Sequence, residues 1–260
     1  MQRAHAGLPR RRTLVAAIAA VIGGAGFAAR ADVPEVIAAA RPSVLPIGRL
    51  DPLSNPRFGF RGTAFVVGDG RHVVTNQHVV GDAGDVGAQW VLQQPLPDGG
   101  QAWRRLELVT RDRAHDLVLL RMEGDPLPAL ALAPEDRLRE GLSVLVIGFP
   151  IGGVLGFQPV THRGMVSSLA PIALPAANAR QLGDRTIAAL RRGSFDIAQL
   201  DATAYPGNSG GPVLDAATGE VVAVINMVLV RGSREAALSA PSGISYAIPA
   251  RWVRTLIAGR

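Results

Sequence analysis

The chain has 260 residues, 48% hydrophobic and 18% charged, which supports a sizeable buried core and excludes a largely disordered protein. Cysteine is absent, so disulfides, thiolate catalysis and cysteine-based metal sites are excluded. The net charge of +6 would suit a nucleic-acid binder, but five arginines and no acid fall in residues 1–31, so residues 32–260 carry only +1 and no nucleic-acid partner is expected.

Residues 1–31 read as a signal peptide. Arg10, Arg11 and Arg12 form a basic start, and Leu14 to Ala29 is an uncharged apolar run too short for a comfortable membrane span. Ala29-Arg30-Ala31 meets the small-x-small cleavage rule and places the mature start at Asp32. The Arg pair followed by Thr13-Leu14-Val15 has the loose form of a twin-arginine signal, although an ordinary secretory signal shares its charge pattern. An uncleaved membrane anchor is the alternative. The expectation is an exported protein, periplasmic or secreted, with no stable membrane span after cleavage.

From Ser43 onward, short β-rich runs alternate with turn residues. They fall at 43–50, 61–68, 71–76, 87–93, 103–110, 116–122, 128–133, 142–149, 160–169, 195–202, 212–215, 220–230 and 243–248. Gly68-Asp69-Gly70 marks a hairpin. Only Pro249 to Ala258 has a helical pattern, with Trp252, Val253, Leu256 and Ile257 on one face. Many closely spaced strands predict an all-β fold of barrels or a sandwich. Two small barrels suit the length, with a break near 134–141 that separates residues 32–140 from 141–260. Residues 170–193 lack strand alternation and read as a long loop or short helix.

Gly207-Asn208-Ser209-Gly210-Gly211-Pro212 is the most informative stretch. Glycines around a serine permit a sharp turn that exposes the hydroxyl and lets backbone N–H groups converge on an oxyanion. A plain surface turn is the competing reading. A serine nucleophile needs a base, and the base needs an orienting acid. His78 ends the apolar run Val73 to His78, where a side chain can face a cleft, and Asp116 heads the run Leu117-Val118-Leu119-Leu120. Taken singly, each is more often structural. Their order His78, Asp116, Ser209 is that of one known triad arrangement, and a cleft between two barrels would bring them together.

These stretches carry a resemblance to the chymotrypsin-like serine peptidases, nearest to the protease domain of the HtrA/Deg family. Arg61-Gly62-Thr63-Ala64-Phe65-Val66 is similar to the first-barrel hairpin, Val74 to Val79 to the His motif, and His115 to Arg121 to the Asp motif. Val144 to Gly153 resembles the opening of the second barrel, and Val160 to Leu169 the strand after it. Gln199 to Ala202, the serine stretch, Glu220 to Met227 and Gly243 to Pro249 follow in order.

The resemblance implies two six-stranded antiparallel barrels with the active site between them and a short C-terminal helix. It also implies roles. Ser209 would be the nucleophile, His78 the base and Asp116 the orienting acid, with the backbone of Gly207, Asn208 and Ser209 as oxyanion hole. Neither cofactor nor metal is implied. Substrates would be proteins or peptides. Thr203 stands where trypsin-like relatives carry an acid selecting basic P1 residues, and Ile225, Asn226 and Met227 match the strand beside that pocket, so small or medium aliphatic P1 residues are expected. The chain closes after its helix, so the PDZ domain usual in that family is expected to be absent. Residues 170–193 correspond to its regulatory loops, and residues 32–60 match its trimer contacts poorly. The expected function is an exported serine endopeptidase. The alternative is a catalytically silent or latent binding module on the same fold.

Overall fold

The computed structural model describes residues 32–81, 89–96, 98–152, 156–171, 195–228 and 243–259. Helix α1 (Val33–Ala40) leads into β1 (Val44–Leu50), β2 (Phe58–Val67), β3 (His72–Asn76), the one-turn helix α2 (Gln77–Val80), β4 (Gln89–Pro95), β5 (Gln101–Asp112) and β6 (Leu117–Met122). Then come β7 (Ser143–Gly148), β8 (Val160–Pro171), β9 (Asp196–Asp201), β10 (Pro212–Asp215), β11 (Val221–Val228), β12 (Ile244–Pro249) and helix α3 (Ala250–Ala258). The first six strands close into one antiparallel barrel in the order β1-β2-β3-β6-β5-β4, and the last six into a second, β10-β11-β12-β9-β8-β7. The two-barrel architecture and the C-terminal helix match the expectation.

Strand alternation explains how three apolar clusters fit two barrels. Inside the first barrel lie Ala64, Val66, Val73, Val118 and Leu120. Their neighbours Phe65, Val74, Leu117 and Leu119 point outward and meet Leu145, Ile147, Leu214 and Val224 of the second barrel. Successive side chains on a strand face opposite sides. Strands between the barrels are therefore buried on both faces, which is why Leu117 to Leu120 and Val144 to Ile147 are unbroken apolar runs rather than alternating ones.

Two expectations need correction. Residues 128–133 form no strand; only the isolated parallel bridges Val67–Leu130 and Leu132–Val221 occur there. The run is apolar because it crosses the inter-barrel cleft, bonding its Leu130 N–H to Val66 and its Ala133 N–H to Val221. Helix α1 is absent from the sequence reading. Its signals are Asp32, whose carboxylate accepts the Val33 N–H at 2.8 Å, Pro34 in the first turn, and the buried pair Val36 and Ala40 one turn apart. The signal-peptide reading of 1–31 and nearly all of 170–193 lie outside the described residues.

Candidate active site

Three segments converge between the barrels. The apolar strand β3 ends at Asn76, where the backbone turns into α2 and lifts His78 to the surface with its side chain 48% exposed. The turn from β5 to β6 carries Asp116, whose φ of 52° is left-handed; such backbone costs an L-residue about 1–2 kcal/mol, and Asp is among the few that adopt it. That turn is held from the side of His78. The Asp116 C=O accepts the Gln77 N–H at 3.0 Å and the Asn76 side-chain amide at 3.2 Å. Asp116 then faces His78 with both carboxylate oxygens: Oδ2 lies 2.6 Å from Nδ1, and Oδ1 accepts the His78 backbone N–H at 2.9 Å.

The third segment is the glycine-rich loop between β9 and β10. Gly207 has a φ of 105°, and a Cβ there would sit 2.3 Å from the Phe149 carbonyl oxygen, so only glycine fits. The Asn208 N–H donates to Tyr205, the Gly210 N–H to Ile225 and the Gly211 N–H to Asn208, at 2.9–3.0 Å. Among the described residues, the N–H groups of Gly207 and Ser209 donate to no acceptor, and both belong to the loop that carries the Ser209 hydroxyl. Asn208, expected with them, is turned away: its N–H is committed and its side chain is fully buried. The Ser209 hydroxyl donates to the Asn226 carbonyl at 3.2 Å and makes no hydrogen bond to His78.

Among the described residues, no cluster of three or more His, Asp or Glu side chains is placed to hold a metal ion. The family model of the trypsin-like peptidase domain matches residues 62–224, a span that takes in His78, Asp116 and Ser209. The chain belongs to the trypsin-like peptidase family. This trypsin-like peptidase is 31% identical over 213 residues to a probable periplasmic serine endoprotease, DegP-like, of Chlamydia trachomatis; the alignment covers 82% of the chain and 36% of that relative. A relative of the same description from Pseudomonas putida is 31% identical over 188 residues, covering 72% of the chain and 32% of the relative. Among solved structures, the HtrA-type protease AlgW with a tripeptide superimposes with a TM-score of 0.62 at 26% identity, over 88% of this chain and 63% of that one. The chain thus spans about a third of the length of these curated relatives.

Two residues of this trypsin-like peptidase do more at the site than the sequence reading gave them. Thr63, fully buried on β2, donates its hydroxyl to the Gly207 carbonyl at 2.7 Å and accepts the Phe149 N–H at 3.1 Å, while its own N–H donates to the Ser209 carbonyl at 2.9 Å. One side chain so fixes the glycine loop to the first barrel. Its only sequence signal is a hydroxyl within an apolar strand. Asn226, read as a pocket residue, donates its amide to Asp116 Oδ2 at 2.6 Å. Alternation along β11 turns its neighbour Ile225 into the interior of the second barrel, 1% exposed, so Ile225 contributes core packing. Thr203 is half-buried near the loop, and the Met227 side chain lies outside the described residues.

His162 on β8 sits with its ring 5.9 Å from Tyr205, and its Nε2 is buried without a partner. Burial pushes its pKa below the ordinary histidine value. The unfolded chain therefore binds a proton that the folded chain resists, and stability falls as pH drops from about 6.5 toward the folded pKa. His162→Gln removes this liability. Melting curves from pH 7 to 5 should show the Tm of the variant gaining on that of the wild type as pH falls; parallel curves would contradict the assignment.

Proposed function

We propose that the chain is an exported serine endopeptidase that cleaves protein or peptide substrates through Ser209, His78 and Asp116. One observation carries this reading: the Asp116 carboxylate grips the His78 Nδ1 at 2.6 Å, and the loop of Ser209 holds the N–H groups of Gly207 and Ser209, which donate to no acceptor among the described residues. The Ser209 hydroxyl rotates from the Asn226 carbonyl onto His78 Nε2 when substrate binds. Catalytic contacts of this kind commonly tighten only in the substrate complex. His78 then takes the proton as Oγ attacks the scissile carbonyl, and returns it to the leaving amine. Asp116 holds the tautomer with the proton on Nδ1 and stabilises the imidazolium. The N–H groups of Gly207 and Ser209 receive the oxyanion. Residues 1–31 direct export, in keeping with the periplasmic description of the relatives. No helix among the described residues is long and apolar enough to cross a membrane. Thr203, half-buried near the serine loop, carries no charge to attract a basic P1 side chain, which supports small or medium aliphatic P1 residues.

The test is labelling of the purified protein with a fluorophosphonate probe, followed by mass spectrometry of the adduct. Modification confined to the peptide containing Ser209 is expected. A second reading, a latent or silent binding module, draws on the hydroxyl being donated to Asn226 rather than to His78. A folded protein that takes up no probe would select it. Within the enzyme reading, Gly207→Ala should lower kcat about 100- to 1000-fold, the usual cost of one oxyanion donor, because the new Cβ meets the Phe149 carbonyl and displaces the loop. Steady-state kinetics on a chromogenic peptide checks this.

A further inference from the structure

Helix α3 belongs to the second barrel, yet it reaches the turn that carries Asp116 in the first. Trp252 stacks on the imidazole of His115, the residue before Asp116, with ring centroids 3.6 Å apart and planes 18° apart. Phe195 meets the same imidazole edge-on at 4.6 Å and 65°. The third hold on His115 comes from its own turn. Its Nδ1 lies 2.6 Å from Asp112 Oδ2, and Asp112 Oδ1 accepts the N–H groups of Ala114 and His115 at 3.0 and 3.1 Å. The His115 side chain is only 15% exposed. Trp252 is itself held, with the Arg251 guanidinium 5.3 Å from its ring and within 4.0 Å of Glu135 and Asp196.

This packing bears on chemistry because of where it ends. Asp116 is the next residue and has the left-handed backbone. Its carbonyl is gripped by Asn76 and Gln77, from the His78 side. Its N-terminal neighbour is gripped by Trp252 and Phe195, from the second barrel. A shift at His115 swings the Asp116 carboxylate against the imidazole it faces. Reacting geometry tolerates little of this, since a misplacement of about 1 Å can cost about 100-fold in rate. We propose that Trp252 and His115 are positioning residues for Asp116, through which the C-terminal helix sets the orientation of the His78 imidazole. The inference rests on the reading above, in which Asp116 orients His78.

The test compares the full-chain protein with Trp252→Ala, Trp252→Phe and His115→Ala. Active sites are counted with the fluorophosphonate probe, and kcat and KM are measured per labelled site. Both alanine variants should lose about tenfold in kcat with KM little changed, a fraction of the misplacement cost above. Trp252→Phe keeps a stacking face and should recover most of the rate. Packing alone would lower Tm and the number of labelled sites and leave kcat per site where it was; that result in His115→Ala, which leaves the α3 sequence intact, overturns the proposal. An Asp116→Asn variant with wild-type kcat would instead overturn the triad reading beneath it.

Discussion

Asp116→Asn should lower kcat at neutral pH about 10⁴-fold while leaving KM within a few-fold of wild type. The carboxylate receives three donors: His78 Nδ1–H and the Asn226 amide at Oδ2, and the His78 backbone N–H at Oδ1. An asparagine has one oxygen to offer them. If that oxygen replaces Oδ2, the new NH2 opposes the His78 backbone N–H. If the amide flips, its NH2 faces Nδ1, and the imidazole must carry its proton on Nε2, the atom that has to accept from Ser209. In either orientation a donor meets a donor. Substrate binding uses none of these atoms, so KM should hold. Stopped-flow or steady-state kinetics from pH 6 to 9 reads the effect, and a loss below tenfold would show that Asp116 does not set the tautomer.

Ser209→Ala has the larger expected effect, roughly 10⁶-fold in kcat, with probe labelling abolished. The substitution removes one oxygen at a half-buried position whose backbone remains tied through Thr63, so the fold and Tm should change little. The double variant with His78→Ala should be no slower than Ser209→Ala alone, because residues acting as one unit are strongly non-additive. Residual peptide hydrolysis above one per cent of wild type would mean that another group attacks.

The fold was legible because each barrel strand is a short β-rich run ended by turn residues, and because the runs buried on both faces stand out as unbroken Val and Leu. Helix α1 was not, since eight residues give barely two turns of periodicity, and its Ala-rich sequence blends with the apolar, Ala-rich run of residues 14–31 before it. Residues 128–133 misled for the opposite reason: burial made them apolar, while their pairing is limited to single bridges. At the site, motif order picked out the three segments that the fold brings together. The tethering role of Thr63 and the Asp116 contact of Asn226, itself named as a pocket residue, escaped because they depend on partners 144 and 110 residues away. Ile225 was misread because alternation along a strand decides which neighbour faces the cleft, and strand phase is invisible until the pairing is known.

The long reach of those contacts has a consequence for how the molecule matures. The His78–Asp116 pairing forms within the first barrel, but Thr63 reaches Gly207 and Asn226 reaches Asp116 only once the second barrel has docked. Contacts of such sequence separation close late, because the intervening chain must lose its loop entropy first. On the proposed reading, hydrolytic competence therefore belongs to the docked pair of barrels and not to the first barrel alone.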